Sequence, residues 1–221
     1  MTTKRKEVAA VIAAAAATGA LLTGCGAGTD DSAAETGAAE AAQVAAPSMS
    51  PSPSATASAL TEDQAERKAL VPKAKTGYDE ALRTAVAAVP KSKPVSIELK
   101  GPANQPSWQA EVATTDGVAH TVRIDAANGK AGPAQTKSDQ DSGDRRELAD
   151  RLDKAKVTAQ QAAQTATGKT KGTVTAVELG DTDNGTLKWS VDVVSTTDWN
   201  KTTYDIDATN RKILREHVDR D

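Results

Sequence analysis

The residues of this chain that could do chemistry are few, and the most regular of them recur. Asp125 begins Asp-Ala-Ala-Asn and Asp207 begins Asp-Ala-Thr-Asn, so a carboxylate and a carboxamide return at the same spacing. An acid held at one place in each copy has the chemistry of a metal ligand or a general base. It is also the residue that bonds the backbone N–H groups of its own turn, which accounts for its recurrence with no substrate. His120 and His217 are the only histidines, and His217 falls in the charged tail REHVDRD. A metal or catalytic centre needs a second and third partner beside them, and no such set is legible. Asp139, Asp141 and Asp144 in SDQDSGD have the acid density of a calcium loop but lack its spacing and closing Glu, so this stretch reads as a solvated linker. No glycine-rich phosphate loop or nucleophile elbow is present, and none of the many Ser and Thr residues has a recognisable base. The expectation is a protein that is not an enzyme and carries no cofactor or metal.

One residue does point to covalent chemistry. A basic start at Lys4, Arg5 and Lys6 precedes the apolar run VAAVIAAAAATGALL, which ends in Leu22-Thr23-Gly24-Cys25. The run is short for a membrane span and has the build of an export signal. Its last four residues resemble a bacterial lipobox, which implies cleavage before Cys25 and a diacylglyceryl group on its thiol; two acyl chains give stable attachment. Cys25 is the only cysteine, so no intrachain disulfide can form. The chain has 221 residues, net charge -3 and no Phe. Such a chain offers neither the basic face nor the aromatic platform of a nucleic-acid binder.

The elements that position the remaining residues are readable from period and caps. Residues 26–59 are Ala, Ser, Gly, Pro and acids, too poor in large apolar side chains to fold, and read as a disordered tether. Order begins at Thr61, where Thr-Glu-Asp-Gln has the form of a capping box ahead of a short charged helix. Tyr78, Ala81, Leu82, Ala85, Val86 and Val89 then form one apolar stripe at helical spacing, stopped by Pro90. Three alternating runs follow, around Val95–Leu99, Trp108–Val112 and Val122–Ile124, each with the one apolar face of an antiparallel strand. Asp116-Gly117 suits the hairpin between the last two.

The same order then returns. Thr114 to Lys130 (TTDGVAHTVRIDAANGK) matches Thr196 to Lys212 (TTDWNKTTYDIDATNRK) without a gap, identical at nine positions. Thr158-Ala-Gln-Gln gives a second capping box, and Ala159, Ala162, Ala163 and Ala166 match Tyr78, Ala81, Leu82 and Ala85. Gly168 suits that helix's stop, Val177 and Leu179 match Ile97 and Leu99, and Trp189 matches Trp108. Self-similarity of this kind sets the number of structural units.

A helix opened by Lys-x-Thr-x-x-Gln, a strand ending Val-Glu-Leu, and a last strand ending Ile-Asp-Ala-x-Asn-Gly-Lys together resemble the PepSY domain, a small module of the bacterial cell envelope. The resemblance implies an α+β fold, here two tandem small domains, each a helix packed on a three- to four-stranded antiparallel sheet. It divides the chain into a signal peptide at 1–25, the tether at 26–59, a first domain at 60–132, a linker at 133–144 and a second domain at 145–221. It also implies a role in binding or restraining a secreted peptidase. The second copy departs from the pattern at Arg211, which replaces Gly129 where a left-handed turn is expected.

These readings converge on a monomeric binding module, lipid-anchored through Cys25 on the outer face of the cell membrane. Its partner is expected to be an extracytoplasmic protein, with a peptidase foremost. The alternative is an envelope sensor or accessory lipoprotein that takes a small ligand or ion. The expected contact residues are those where the copies differ: Trp199, which replaces Gly117 at a hairpin tip and there either exposes its ring or folds back onto the second unit or packs against the first, with Asn200 and Arg211. Units of about 60 residues with lean Ala and Val cores are marginal on their own. The two are therefore expected to pack together or to need their preceding charged helices, Glu62 to Val71 and Arg145 to Lys156.

Overall fold

The structure, a computed structural model, describes residues 60–220. The export signal, Cys25 and the tether lie outside the described residues.

Each repeat lays an amphipathic helix across antiparallel strands. In the first, helix α1 (Glu62–Leu70) leads into a 3-10 turn at Val71–Lys73 and helix α2 (Tyr78–Ala88). Strands β1 (Ser92–Lys100), β2 (Ser107–Thr114), β3 (Ala119–Asp125) and the two-residue β4 (Gln135–Thr136) follow. The second repeat gives α3 (Ser142–Lys154), α4 (Ala159–Lys169), β5 (Thr173–Asp181), β6 (Leu187–Val194), β7 (Lys201–Asp207) and β8 (Ile213–Asp219).

All eight strands form one sheet in the order β4-β3-β2-β1-β5-β6-β7-β8. At its centre β1 pairs antiparallel with β5, and Ile97 lies opposite Val177. The repeat makes these two residues equivalent, so a local two-fold axis passes between them. Both central strands carry a register shift at matching points, between Pro94 and Ser96 and between Val174 and Ala176. Side chains directly opposite in an antiparallel pair share a face, so Ile97 and Val177, both almost fully buried, join the two halves into one core. That sharing is how two lean units reach a workable burial. Ala81, Leu82 and Ala85 of α2 and Ala162, Ala163 and Ala166 of α4 seat the helices on this face. The alanines let them approach the sheet closely.

The repeated Ile-Asp-Ala segment ties each helix to its sheet. The Ala126 carbonyl accepts from the N–H groups of Lys75 and Thr76, and the Ala208 carbonyl from those of Lys156 and Val157. The indole of Trp108 donates to the Thr76 carbonyl at 2.8 Å, and that of Trp189 to the Val157 carbonyl at 2.7 Å. Both rings are buried. A tryptophan at this site thus closes the turn before each helix, a packing role in both copies.

The leading helices cross over between repeats. Gln64 of α1 donates to Asn200 Oδ1 at 2.8 Å, and Arg67 to the Trp199 carbonyl at 3.2 Å, so α1 packs on the β6–β7 hairpin of the second repeat. In return the segment opening α3 packs on the β2–β3 hairpin of the first. Gln140 donates to the Gly117 carbonyl at 2.8 Å and accepts from the Ala119 N–H at 3.0 Å. A Cβ on Gly117 would lie 1.8 Å from the Arg145 carbonyl oxygen. The expectation that the two units pack together is met, with each charged helix lying on the other repeat.

Four local expectations change. The tail REHVDRD belongs mostly to β8, paired along its length with β7. Within 133–144, Gln135 and Thr136 pair with β3 and Asp141 caps α3. Asp141 accepts from the N–H groups of Gly143 and Asp144, so the acid-rich SDQDSGD, largely exposed as expected, also opens a helix. Helix α4 runs through Gly168 to Lys169, stopping one residue later than the glycine.

Candidate functional site

Among the residues singled out by the repeat, the structure separates those that hold the fold from those that face outward. Asp125 accepts from the Ala127 N–H at 2.8 Å and from the Asn128 side chain at 3.0 Å. Asp207 accepts from the Thr209 N–H at 2.7 Å, from its hydroxyl at 2.6 Å and from Asn210 at 3.0 Å. Each carboxylate is engaged by its own turn, as an Asx-type motif requires. The Thr209 hydroxyl, with the turn's N–H groups, holds the Asp207 carboxyl below the usual carboxylate range. His120 Nδ1 lies 3.1 Å from the Thr136 hydroxyl, and His217 sits exposed on β8. Among the described residues no group of three or more His, Cys, Asp or Glu side chains is placed to hold a metal.

Trp199, Asn200 and Arg211 each make contacts within the fold, Trp199 and Asn200 partly buried and Arg211 exposed. The Trp199 ring is half-buried against the core, and α1 meets the hairpin through Gln64 and Arg67. Asn200 is taken up by Gln64 and by Asp198, to which its amide donates at 2.7 Å. Arg211 accepts the left-handed turn itself, at φ 68°. Such a conformation costs a non-glycine residue roughly 1–2 kcal/mol. Its guanidinium reaches α4, donating to the Gln161 carbonyl and the Thr165 hydroxyl, both at 3.1 Å. A Cβ on Gly129, its counterpart, would instead lie 3.3 Å from the Thr76 hydroxyl oxygen. The first repeat has a glycine where the second uses an arginine to brace its helix.

Sequence reading missed one polar cluster. Asp205 is 4% exposed and receives Lys188 Nζ at 2.6 Å, Ser190 Oγ at 3.0 Å and Arg215 Nε at 2.8 Å. Burial alone would raise its pKa, but the bonds from Lys188, Ser190 and Arg215 outweigh it and hold the carboxyl below its ordinary value. The cluster stitches β6, β7 and β8 together. The signal available in sequence was that Asp205 takes the place of Arg123 in the first copy.

What remains open is an edge. Among the described residues no strand pairs with the outer side of β8, whereas the opposite edge ends in the two residues of β4. Strand β8 is anchored at its end by Arg67, which meets Asp219 at 2.8 Å. Upstream of that anchor Leu214 and Val218 are two of the few exposed large apolar side chains. A seven-residue strand with one side of its backbone unpaired among the described residues is a template for another strand, although β8 carries a register shift at Leu214. No helix among the described residues is long and apolar enough to cross a membrane.

Comparison with known proteins gives the following. A family profile described as "Peptidase propeptide and YPEB domain" (PepSY) matches residues 75–131 and again 156–217, together more than half of the chain. No curated protein sequence matches. Solved structures with some likeness include a protein described as a lipoprotein, CD1622 of Clostridium difficile 630, at 20% identity and TM-score 0.42, covering 66% of this chain and 94% of that one. They also include the YpmB protein from Bacillus subtilis, at 14% identity and TM-score 0.29, covering 66% and 100%. At such TM-scores these likenesses carry no argument about function.

Proposed function

The chain belongs to the PepSY family, with two copies of the domain sharing one sheet, and from that membership we propose that it is an extracytoplasmic binding module for a secreted peptidase. The lipobox-like sequence at Cys25 is the attachment: a lipid there, followed by the tether of 26–59, carries the folded part outside the membrane. The observation that carries the reading is the open edge of β8. An extended segment of the partner adds there as a further strand, its main chain supplying affinity and the exposed Leu214 and Val218 supplying apolar side-chain contacts. The family's description names peptidase propeptides, which makes a peptidase the partner of choice. Trp199, Asn200 and Arg211, already occupied within the fold, act indirectly by shaping the β6–β7 hairpin and the turn before β8.

The test is retention of envelope proteins by the chain and by a variant carrying Leu214→Lys and Val218→Lys, which places charges on the edge strand. A secreted peptidase should be retained by the first and lost by the second. Equal retention by both would remove β8 from the contact. A chain that neither retains a peptidase nor alters secreted peptidase activity would remove the reading itself.

A further inference from the structure

Beside the Trp189 indole, between α2 and the start of α4, lies an apolar groove of about 590 Å³, a size typical of small-molecule sites. Leu82 and Val86 of α2 form one wall, and Leu152, Val157 and Trp189 form much of the rest. The two helices differ where the groove opens. Tyr78 opens α2 and packs half-buried against the core, while its counterpart Ala159 opens α4 with only a methyl group, itself part of the groove's lining.

The charge of the groove is as selective as its shape. Arg83 and Lys93 are among its lining residues and no Asp or Glu is, although the chain as a whole has net charge -3. Lys93, exposed overall, donates its Nζ to the Leu152 carbonyl at 3.1 Å, which brings the ammonium to the rim of the groove. Arg83 pairs with Asp79 at 2.9 Å, but both side chains are about half exposed, so water already competes for that pair. The main wall is a helix whose backbone groups bond within it, so the groove offers no ladder to a peptide strand. An alkyl chain needs none.

We propose that this groove binds a single-chain alkyl carboxylate, with its hydrocarbon on Trp189, Leu82 and Val86 and its carboxylate on Lys93 and Arg83. The site is separate from β8, and none of the substitutions below touches that strand, so it stands or falls apart from peptidase binding.

The experiment is calorimetric titration of the full chain, carrying Cys25→Ser so that it bears no acyl group of its own, with decanoate below its micellar concentration and with 1-decanol. Saturable binding at one site is expected, tighter for decanoate than for 1-decanol. Lys93→Gln should weaken decanoate by about threefold, the scale of a partly exposed ion pair, and leave 1-decanol unchanged. Ala159→Tyr should abolish binding of both at an unchanged denaturation midpoint, since the fold already accommodates Tyr78 at the equivalent place. Should that variant fail to fold, Val86→Glu, at a half-buried position, should repel decanoate instead. Absence of saturable binding, equal affinity for decanoate and 1-decanol, or decanoate binding that survives a folded Ala159→Tyr or Val86→Glu would overturn the proposal.

Discussion

Asp205 shows how one residue can separate two otherwise matching repeats. Its counterpart is Arg123, exposed on β3, whereas Asp205 is buried beneath Lys188 and Arg215. Asp205 and Asp207 both have folded-state pKa values below the ordinary one. Their contribution to stability is therefore complete above the unfolded value of about 4 and is lost as pH falls through the lower folded values. Asp205→Asn should cost about 2 kcal/mol at neutral pH, less than a fully buried pair because Arg215 is largely exposed, and should flatten the loss of stability in acid. Urea denaturation at pH 7 and pH 3 checks both, and an unchanged acid slope would show that the cluster is not what titrates. Residue roles were legible in sequence where a short-range motif defines them. The Asp125 and Asp207 turns and the Thr61 and Thr158 capping boxes stand as read. For Trp199 the sequence left an exposed ring and a packed one both open, because the element that meets its hairpin, α1, lies more than 120 residues away in the chain.

At the scale of elements, the exchange of leading helices explains the difference that the sequence placed at a hairpin tip. Gly117 is required at φ 81° because the backbone of α3 lies against it, and Trp199 is permitted at φ 63° because α1 meets its hairpin through the longer side chains of Gln64 and Arg67. Gly117→Ala should therefore cost about 3 kcal/mol, from the left-handed backbone and the displaced helix together. Hydrogen exchange should show the loss first in α3 and the β2–β3 hairpin, while α1 and the β6–β7 hairpin keep their protection. A uniform loss across the sheet would mean that the two helix seats are not separate. The inner strands β1–β3 and β5–β7 were visible in sequence because one face of each is buried and the apolar residues alternate. Strand β8 was not, since most of its side chains meet solvent and Leu-Arg-Glu-His-Val shows no buried phase. Strand β4 is two residues long, too short for any period.

For the whole molecule, two PepSY copies are joined twice over: by the β1–β5 pairing across the two-fold axis and by the crossed helices. Neither half has its own leading helix on its own hairpin, so residues 144–221 expressed alone should lack a cooperative unfolding transition. Co-expression of the two halves should restore one; cooperative folding of either half in isolation would contradict this. The tandem repeat announced two units, but their fusion into a single sheet was hidden because edge-to-edge pairing leaves no mark in either strand's own pattern. The same fusion uses up the β1 and β5 edges and leaves β8 as the long open one. A photoreactive residue at Leu214, crosslinked in intact cells and read by mass spectrometry, tests its use most directly. A secreted peptidase should be captured from Leu214 and not from Asp183, an exposed turn residue distant from β8 in the strand order. Capture of no peptidase at Leu214, or equal capture at both positions, would contradict β8 as the binding edge.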